Sequence, residues 1–325
     1  MLSLTLLSLC LFGPSAYPVE DVAGINSLAF TSQKELVLLD ARDLRIYVFD
    51  ADRSLKRQFG TKGQGPGEFQ NPTSLCVLAN DEIALADPVG RQIIFFDTEG
   101  KHLRTAKVTG FAIGDLVPAP NNQLLLTSTS ATFLYMKMTD TLPKRFTLLD
   151  RRGKMLSQFG EPKTHEEFFL GINLNQGYPV WLGETLIYFS RIENEATVYQ
   201  QGETKTFRYQ VPFLPKSPDA KTITTKTPDG KTNFQMTVDA DIVARGAVAW
   251  GKDRILLLRA ETGGDGVEES SLVNLVVLNP QGGVEKVFPT AFDGASTLAV
   301  TPDGKSALVP HDGEESWELI KVALD

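Results

Sequence analysis

Residues 75–86 read Leu75-Cys76-Val77-Leu78-Ala79-Asn80-Asp81-Glu82-Ile83-Ala84-Leu85-Ala86: an apolar run, a polar Asn-Asp turn, and a second apolar run. Each run is too short for a helix, and Asn and Asp tolerate the backbone that a tight hairpin needs. The same pattern recurs at Leu28–Leu39, Leu116–Thr127, Val180–Phe189, Val248–Leu258 and Leu298–Val309. The mean spacing is about 54 residues, and the hairpin count is six.

A second feature follows most hairpins. A β-rich run ends near an acid or an amide, as in Ile46–Asp50, Ile93–Asp97, Phe146–Asp150 and Val276–Asn279, with Val198–Gln201 a weaker member. A turn and another short strand come next. Hairpin plus two strands makes a four-stranded antiparallel unit whose near-continuous apolar strands need cover on both faces. Six units stacked radially supply that cover, because each face packs on a neighbour. The chain is therefore expected to be all-β, a six-bladed β-propeller of four-stranded antiparallel blades. The last blade lacks a fourth strand at the C-terminal end. Either residues around Val19–Ala23 supply it and close the ring, or that blade has three strands.

Of the 325 residues, 42% are hydrophobic and 22% charged, which excludes disordered, collagenous and polytopic membrane classes. A formal net charge of -8 disfavours non-specific nucleic-acid binding, which depends on phosphate neutralisation. The run Leu2–Phe12 is apolar and uncharged, and Gly13-Pro14-Ser15-Ala16 follows it with small residues. Residues 1–16 are accordingly expected to be an export signal, with a buried first strand as the alternative, and a signal would place the protein in the periplasm or outside the cell. Residues 17–325 would then be a single propeller domain without a transmembrane helix. Removing the signal leaves Cys76 alone, read here as a buried strand residue. The stretch 211–241, rich in Pro, Lys and Thr, is expected to be an excursion between blades four and five, either a surface loop or an extra hairpin.

The segment Gln58-Phe59-Gly60-Thr61-Lys62-Gly63-Gln64-Gly65-Pro66-Gly67-Glu68-Phe69, followed by Asn71-Pro72, resembles the inter-blade signature of NHL-repeat propellers. Glu82–Asp87, Arg91–Asp97 and Gly100 continue that repeat, and Gln158-Phe159-Gly160 with Glu167-Phe168 forms a partial second copy. The whole resembles bacterial exported, TolB-like six-bladed propellers, a resemblance that implies the fold and little about activity. Physically, Gly63, Gly65 and Gly67 let the chain turn from one blade's outer strand to the next blade's inner strand, with Phe59 and Phe69 pinning the crossing. A phosphate-binding reading fails because Pro66 and a strand follow where a helix would be needed.

Chemistry-bearing residues are sparse. His102 lies on an outer hairpin and is expected to be solvated, whereas His165 and His311 are expected to share a rim. His311-Asp312 and Glu314-Glu315 offer metal-ligating atoms without the spacing of a zinc motif. The segment 261–269, Glu-Thr-Gly-Gly-Asp-Gly-Val-Glu-Glu, lacks the alternating acids of an EF-hand loop and reads as a solvated hairpin. No Gly-x-Ser-x-Gly occurs. No cofactor is expected, with calcium or zinc as the lesser alternative. Trp181 and Trp250 precede Gly turns at matching points and read as packing residues.

Asp40 with Arg45, and Asp87 with Arg91, occupy corresponding places after second strands. They form either a charged ring at a channel mouth or, as favoured, an Asp holding a turn while the Arg bridges blades. The expected function is a non-enzymatic exported binding propeller that presents rim loops at 128–145, 161–178 and 211–241 to a protein, peptide or glycan. Two alternatives stand beside it: a metal-assisted hydrolase or lyase in the central channel, lactonase-like or amidating-lyase-like, and a structural ring in an envelope complex. No catalytic residue is assigned. Ligand-binding candidates, placed after second strands and between blades, are Arg42, Arg91, His165, Tyr178, Arg191 and His311.

Overall fold

The computed structural model describes residues 15–109, 113–128, 142–226, 232–261, 272–293, 295–313 and 316–324. It opens with β1 (Ser15–Val19). The first blade is β2 (Ser27–Phe30), β3 (Leu36–Asp40), β4 (Arg45–Phe49) and β5 (Leu55–Phe59). The second is β6 (Ser74–Val77), β7 (Ile83–Asp87), β8 (Gln92–Phe96) and β9 (His102–Lys107). The third is β10 (Leu116–Ala119), β11 (Gln123–Thr127), β12 (Phe146–Leu149) and β13 (Met155–Phe159). A short helix α1 (Phe168–Asn173) leads into the fourth: β14 (Gly177–Leu182), β15 (Thr185–Ser190), β16 (Glu195–Gln200) and β17 (Glu203–Arg208). The excursion forms a separate hairpin, β18 (Asp219–Lys226) and β19 (Thr232–Asp239). The fifth blade is β20 (Ala244–Trp250), β21 (Arg254–Ala260), β22 (Val273–Leu278) and β23 (Val284–Phe292). The sixth is β24 (Ala299–Val300), β25 (Ser306–Asp312) and β26 (Trp317–Ala323), completed by β1.

Ring closure comes from the N-terminus, but upstream of the expected segment. β1 runs antiparallel to β26 from Ser15↔Lys321 to Val19↔Trp317, while Asp21–Ile25 form the crossing to the first blade. Val22 and Ile25 are held in the same apolar cluster as Leu319. Ser15 and Ala16, read as the end of a signal, therefore open the closing strand; residues 1–14 lie outside the described residues.

Middle strands explain the apolar runs. Leu36–Asp40, Ile83–Asp87 and Gln92–Phe96 are buried along their whole length, because both faces of each sheet are covered by neighbouring blades. Each fully buried Leu, Ile or Phe stabilises the ring by roughly 2 kcal/mol. Outer strands such as Leu55–Phe59 are largely exposed. The residue after the third strand is a turn-former in four blades. Asp50, Asp97, Asp150 and Asn279 each accept two backbone N–H bonds from the following turn, at 2.8–3.0 Å.

Cys76 is buried and its thiol pKa is pushed up by that burial. Phe69 is fully buried beneath the first crossing, where the Glu68 carboxylate accepts the N–H of Gly65 at 2.8 Å. His102 is less solvated than expected: it packs edge-on against Phe96 and bonds Thr105 Oγ1 at 2.9 Å, with Gly67 over its Cβ. Trp181 and Trp250 are both packing residues, yet they are offset by one register. Trp181 pairs with Leu186 one step before the turn, while Trp250 pairs with Arg254 and closes it. The pleat therefore sends Trp181 toward the third blade and Trp250 toward the sixth.

Candidate functional site

Turns after second strands and the inter-blade crossings share one face of the ring, here the upper face; the two hairpin turns of each blade share the lower one. Strand register aligns the residues near the upper ends of the second strands: Asp40, Asp87, Ser128, Ser190, Arg259 and His311. The chemistry at this position changes around the ring, and only the first two are acids.

Those two acids hold turns. Asp40 accepts the N–H groups of Ala23, Gly24, Arg42 and Asp43, and Asp87 accepts those of Gln70, Asn71 and Gly90. Arg45 faces Asp40 in the ladder and donates to the Gly60 carbonyl at 2.6 Å. The residue facing Asp87 is Gln92, whose amide bonds that carboxylate at 3.0 Å; Arg91 sits one residue earlier, in the turn, at φ 50°. Arg91 thus corresponds to Leu44, not to Arg45, and the second Asp–Arg pairing gives way to Asp–Gln.

Of the six expected binding residues, Arg42 and Arg91 are exposed on the upper face. Arg42 Nη1 donates to the Ala23 carbonyl at 3.0 Å, and the Arg91 carbonyl accepts from Val108. His165 is exposed in the crossing to the fourth blade, its Nδ1 accepting the Glu167 N–H at 3.0 Å. His311 is the penultimate residue of β25, and its Nδ1 accepts the Asp293 N–H at 3.2 Å. The two histidines share the upper face but sit on different blades with different partners.

Tyr178 and Arg191 are brought together, with company the sequence reading missed. Inner strands of all six blades line a central cavity of about 290 Å³, to which Ser27, Ser74, Asp115, Tyr178, Ala247 and Thr297 contribute. Ser27 and Ser74 lock adjacent blades: Ser27 Oγ accepts the Leu75 N–H at 3.2 Å, and Ser74 Oγ accepts the Leu116 N–H at 2.7 Å. In the next blade that position is Asp115, fixed by its N–H donating to Thr127 Oγ1 at 2.8 Å.

Asp115, Tyr178, Arg191 and Arg245 form one electrostatic group. Burial pushes the Asp115 carboxyl up to about 6, against the opposing pull of Arg191. Burial also raises Tyr178, with Arg191 and Arg245 opposing and Asp115 assisting. Arg245 is lowered by burial while Tyr178 and Asp293 favour its charge. Arg191 is positioned through Nη1, which donates to Gln176 Oε1 at 2.8 Å, and through its carbonyl, which accepts the Val243 N–H at 2.8 Å. The group extends to Tyr209, raised by burial, next to Tyr178 and Arg259.

One sequence signal marks Asp115: it stands where aligned repeats carry Ser27 and Ser74, a carboxyl in a row of hydroxyls. Arg245 and Asp293 carry none, since only folding places them there. No group of three or more His, Cys, Asp or Glu able to hold a metal ion occurs among the described residues. Of the segment 261–269 weighed for calcium, 262–269 lie outside them. No helix among the described residues is long and apolar enough to cross a membrane.

Solved structures resemble this ring. A Bacteroides fragilis protein assigned to the exported class aligns with TM-score 0.60 at 11% identity, covering 96% of this chain and 95% of that one. A virginiamycin B lyase from Staphylococcus aureus aligns with TM-score 0.58 at 11% identity, covering 96% and 99%. A gluconolactonase from Xanthomonas campestris aligns with TM-score 0.61 at 14% identity, covering 94% and 89%. At such identities the likeness is one of fold. Among curated protein sequences none matches this chain. Residues 21–244 match a family described by its six-bladed architecture, and the chain belongs to that 6-bladed beta-propeller family, DUF5128.

Proposed function

We propose that this protein is an exported, NHL-type binding propeller that takes the carboxylate groups of an acidic peptide or glycan at the upper mouth of its channel. The observation that carries this reading is that Tyr178, which lines a cavity walled by all six blades, lies within reach of the charges of Arg191 and Arg245. Arg191 acts on Asp115, whose own negative charge is disfavoured by burial, and Arg245 acts on Tyr178 and Asp293; the two guanidiniums are the donors the mouth offers an incoming carboxylate. Arg42, Arg91, His165 and His311 extend the surface outward on the same face. The test is binding of purified residues 15–325 to arrays of acidic peptides and uronate-bearing glycans. Arg191→Ala and Arg245→Ala are each expected to weaken the captured ligand by at least tenfold, roughly the worth of a charge-assisted bond. Equal capture of neutral ligands would refute the reading.

The second reading, a hydrolase or lyase in the channel, draws on Asp115. A carboxyl pushed to about 6 is suited to proton transfer near neutral pH. Elemental mass spectrometry of protein purified without chelator, joined to lactone-opening and elimination assays abolished in Asp115→Asn, separates the two readings. About one calcium or zinc per chain favours the metal-assisted version.

A further inference from the structure

At four of the six inter-blade interfaces the register shows what fills the lower outer slot. In the first blade Arg57 faces Val48, donates Nε to the Thr98 carbonyl of the next blade at 2.6 Å, and pairs with Glu35 at 3.2 Å. In the second, Arg104 faces Phe95 at the same register, donates to the Arg151 carbonyl, and pairs with Glu82 at 2.6 Å. Between blades three and four, Trp181 and Tyr199 pack with Leu148 and Phe159. Between blades five and six, Trp250 packs with Val277 and donates Nε1 to the Gly304 carbonyl at 2.8 Å.

Blades four and five differ. At the arginine position stands Lys205, facing Val198, and at the glutamate position stands Thr185. Lys205 is exposed and pairs with Glu203 on its own strand at 3.0 Å instead of reaching the next blade. A groove of about 480 Å³ runs along this interface. Its floor is Leu182, Ile187, Val198 and Phe207; Lys205, Lys252 and Asp253 stand at its rim. Such a volume suits a small ligand. Asp253 is next to Arg254 at 3.8 Å, which leaves Lys252 as the rim charge facing an incoming group.

We propose that this lower-face groove binds a free single-chain amphiphilic carboxylate, its apolar chain on Ile187, Val198 and Phe207 and its carboxylate on Lys252. The site lies on the opposite face from the channel mouth and does not depend on the function proposed there.

The probe is octanoate, followed by calorimetry and by methyl NMR of the intact chain. Saturable binding is expected, with shifts at Ile187 and Val198. Lys252→Glu is expected to weaken it at least tenfold. The double variant Thr185→Glu with Lys205→Arg rebuilds the staple of the first two blades, and is expected to abolish binding while raising the melting temperature. Octylamine serves as the cationic control and is expected to bind at least tenfold more weakly. The proposal is overturned by absence of shifts at Ile187 and Val198 in millimolar octanoate, by equal binding of octylamine, by binding that survives the rebuilt staple in a folded protein, or by binding only to anionic vesicles.

Discussion

Arg104 Nη2 donates to the backbone carbonyl of Arg151, fastening the outer strand of the second blade to the outer turn of the third. The guanidinium lies 3.8 Å from the Phe95 ring centroid and pairs with Glu82 at 2.6 Å. One side chain thus combines an ion pair, a cation–π contact and an inter-blade hydrogen bond, all partly shielded from water.

Arg104→Ala is expected to destabilise the protein by about 2 kcal/mol, since Glu82 and the Arg151 carbonyl would lose a charged partner. Burial raises the Glu82 carboxyl, but the hydrogen bond and charge of Arg104 outweigh it and hold the pKa below 4.5. The pair therefore stabilises the fold above about pH 4.5 and loses that contribution as pH falls through the lower, folded value. Urea melts across that range check this: the difference between wild type and variant should shrink in acid.

Asp115 has the opposite sign. Its folded pKa of about 6 exceeds the ordinary 3.8, so the folded protein retains a proton that the unfolded chain has released. Stability falls as pH rises from about 3.8 to 6, and the cost is complete above that. Asp115→Asn should leave stability near pH 3.5 unchanged and raise it by about 3 kcal/mol at pH 8, by the usual conversion of pKa shifts. Thermal melts at the two pH values would decide; an equal gain at both would exclude the burial of a titrating carboxyl as the cause.

Removal of β1 should open the ring. A chain starting at Glu20 loses all five register pairs with β26 and the cover of Val19 on the apolar cluster between the sixth and first blades. A fall in melting temperature of about 5 °C is expected, corresponding to roughly 3 kcal/mol in a domain of this size. A chain starting at Tyr17 keeps Tyr17, Pro18 and Val19 in register and should fall between.

Gly60 leaves β5 at φ 126°, where a Cβ would lie 2.6 Å from the Leu44 carbonyl oxygen and 2.8 Å from Phe69 Cζ. Gly60→Ala should cost about 3 kcal/mol through backbone strain and overlap with a buried ring. Equilibrium unfolding gives the value, and a change below about 1 kcal/mol would show that the crossing relaxes.

Several local features were legible because their causes are local. The Asp50, Asp97, Asp150 and Asn279 turns satisfy nearby backbone N–H groups with their own side chains, and the Asn-Asp turn of 75–86 sets Asp81 at a positive φ that Asp tolerates, so residue type and spacing carry the information. Arg91 was misaligned because a turn differing by one residue cannot be seen until strands are paired; the ladder sets Gln92 opposite Asp87. The same one-residue offset separated Trp181 from Trp250.

From sequence alone came the six hairpins, the four-stranded unit and the need to cover apolar strands on both faces, since hydrophobic pattern and turn chemistry are properties of short segments. Tertiary structure decided that Ser15–Val19 closes the ring, that Asp115, Tyr178, Arg191 and Arg245 share one mouth, and that the slot beside Lys205 is a groove. Closure brings together residues from every blade, and both burial and the charges facing a group depend on neighbours remote in the chain.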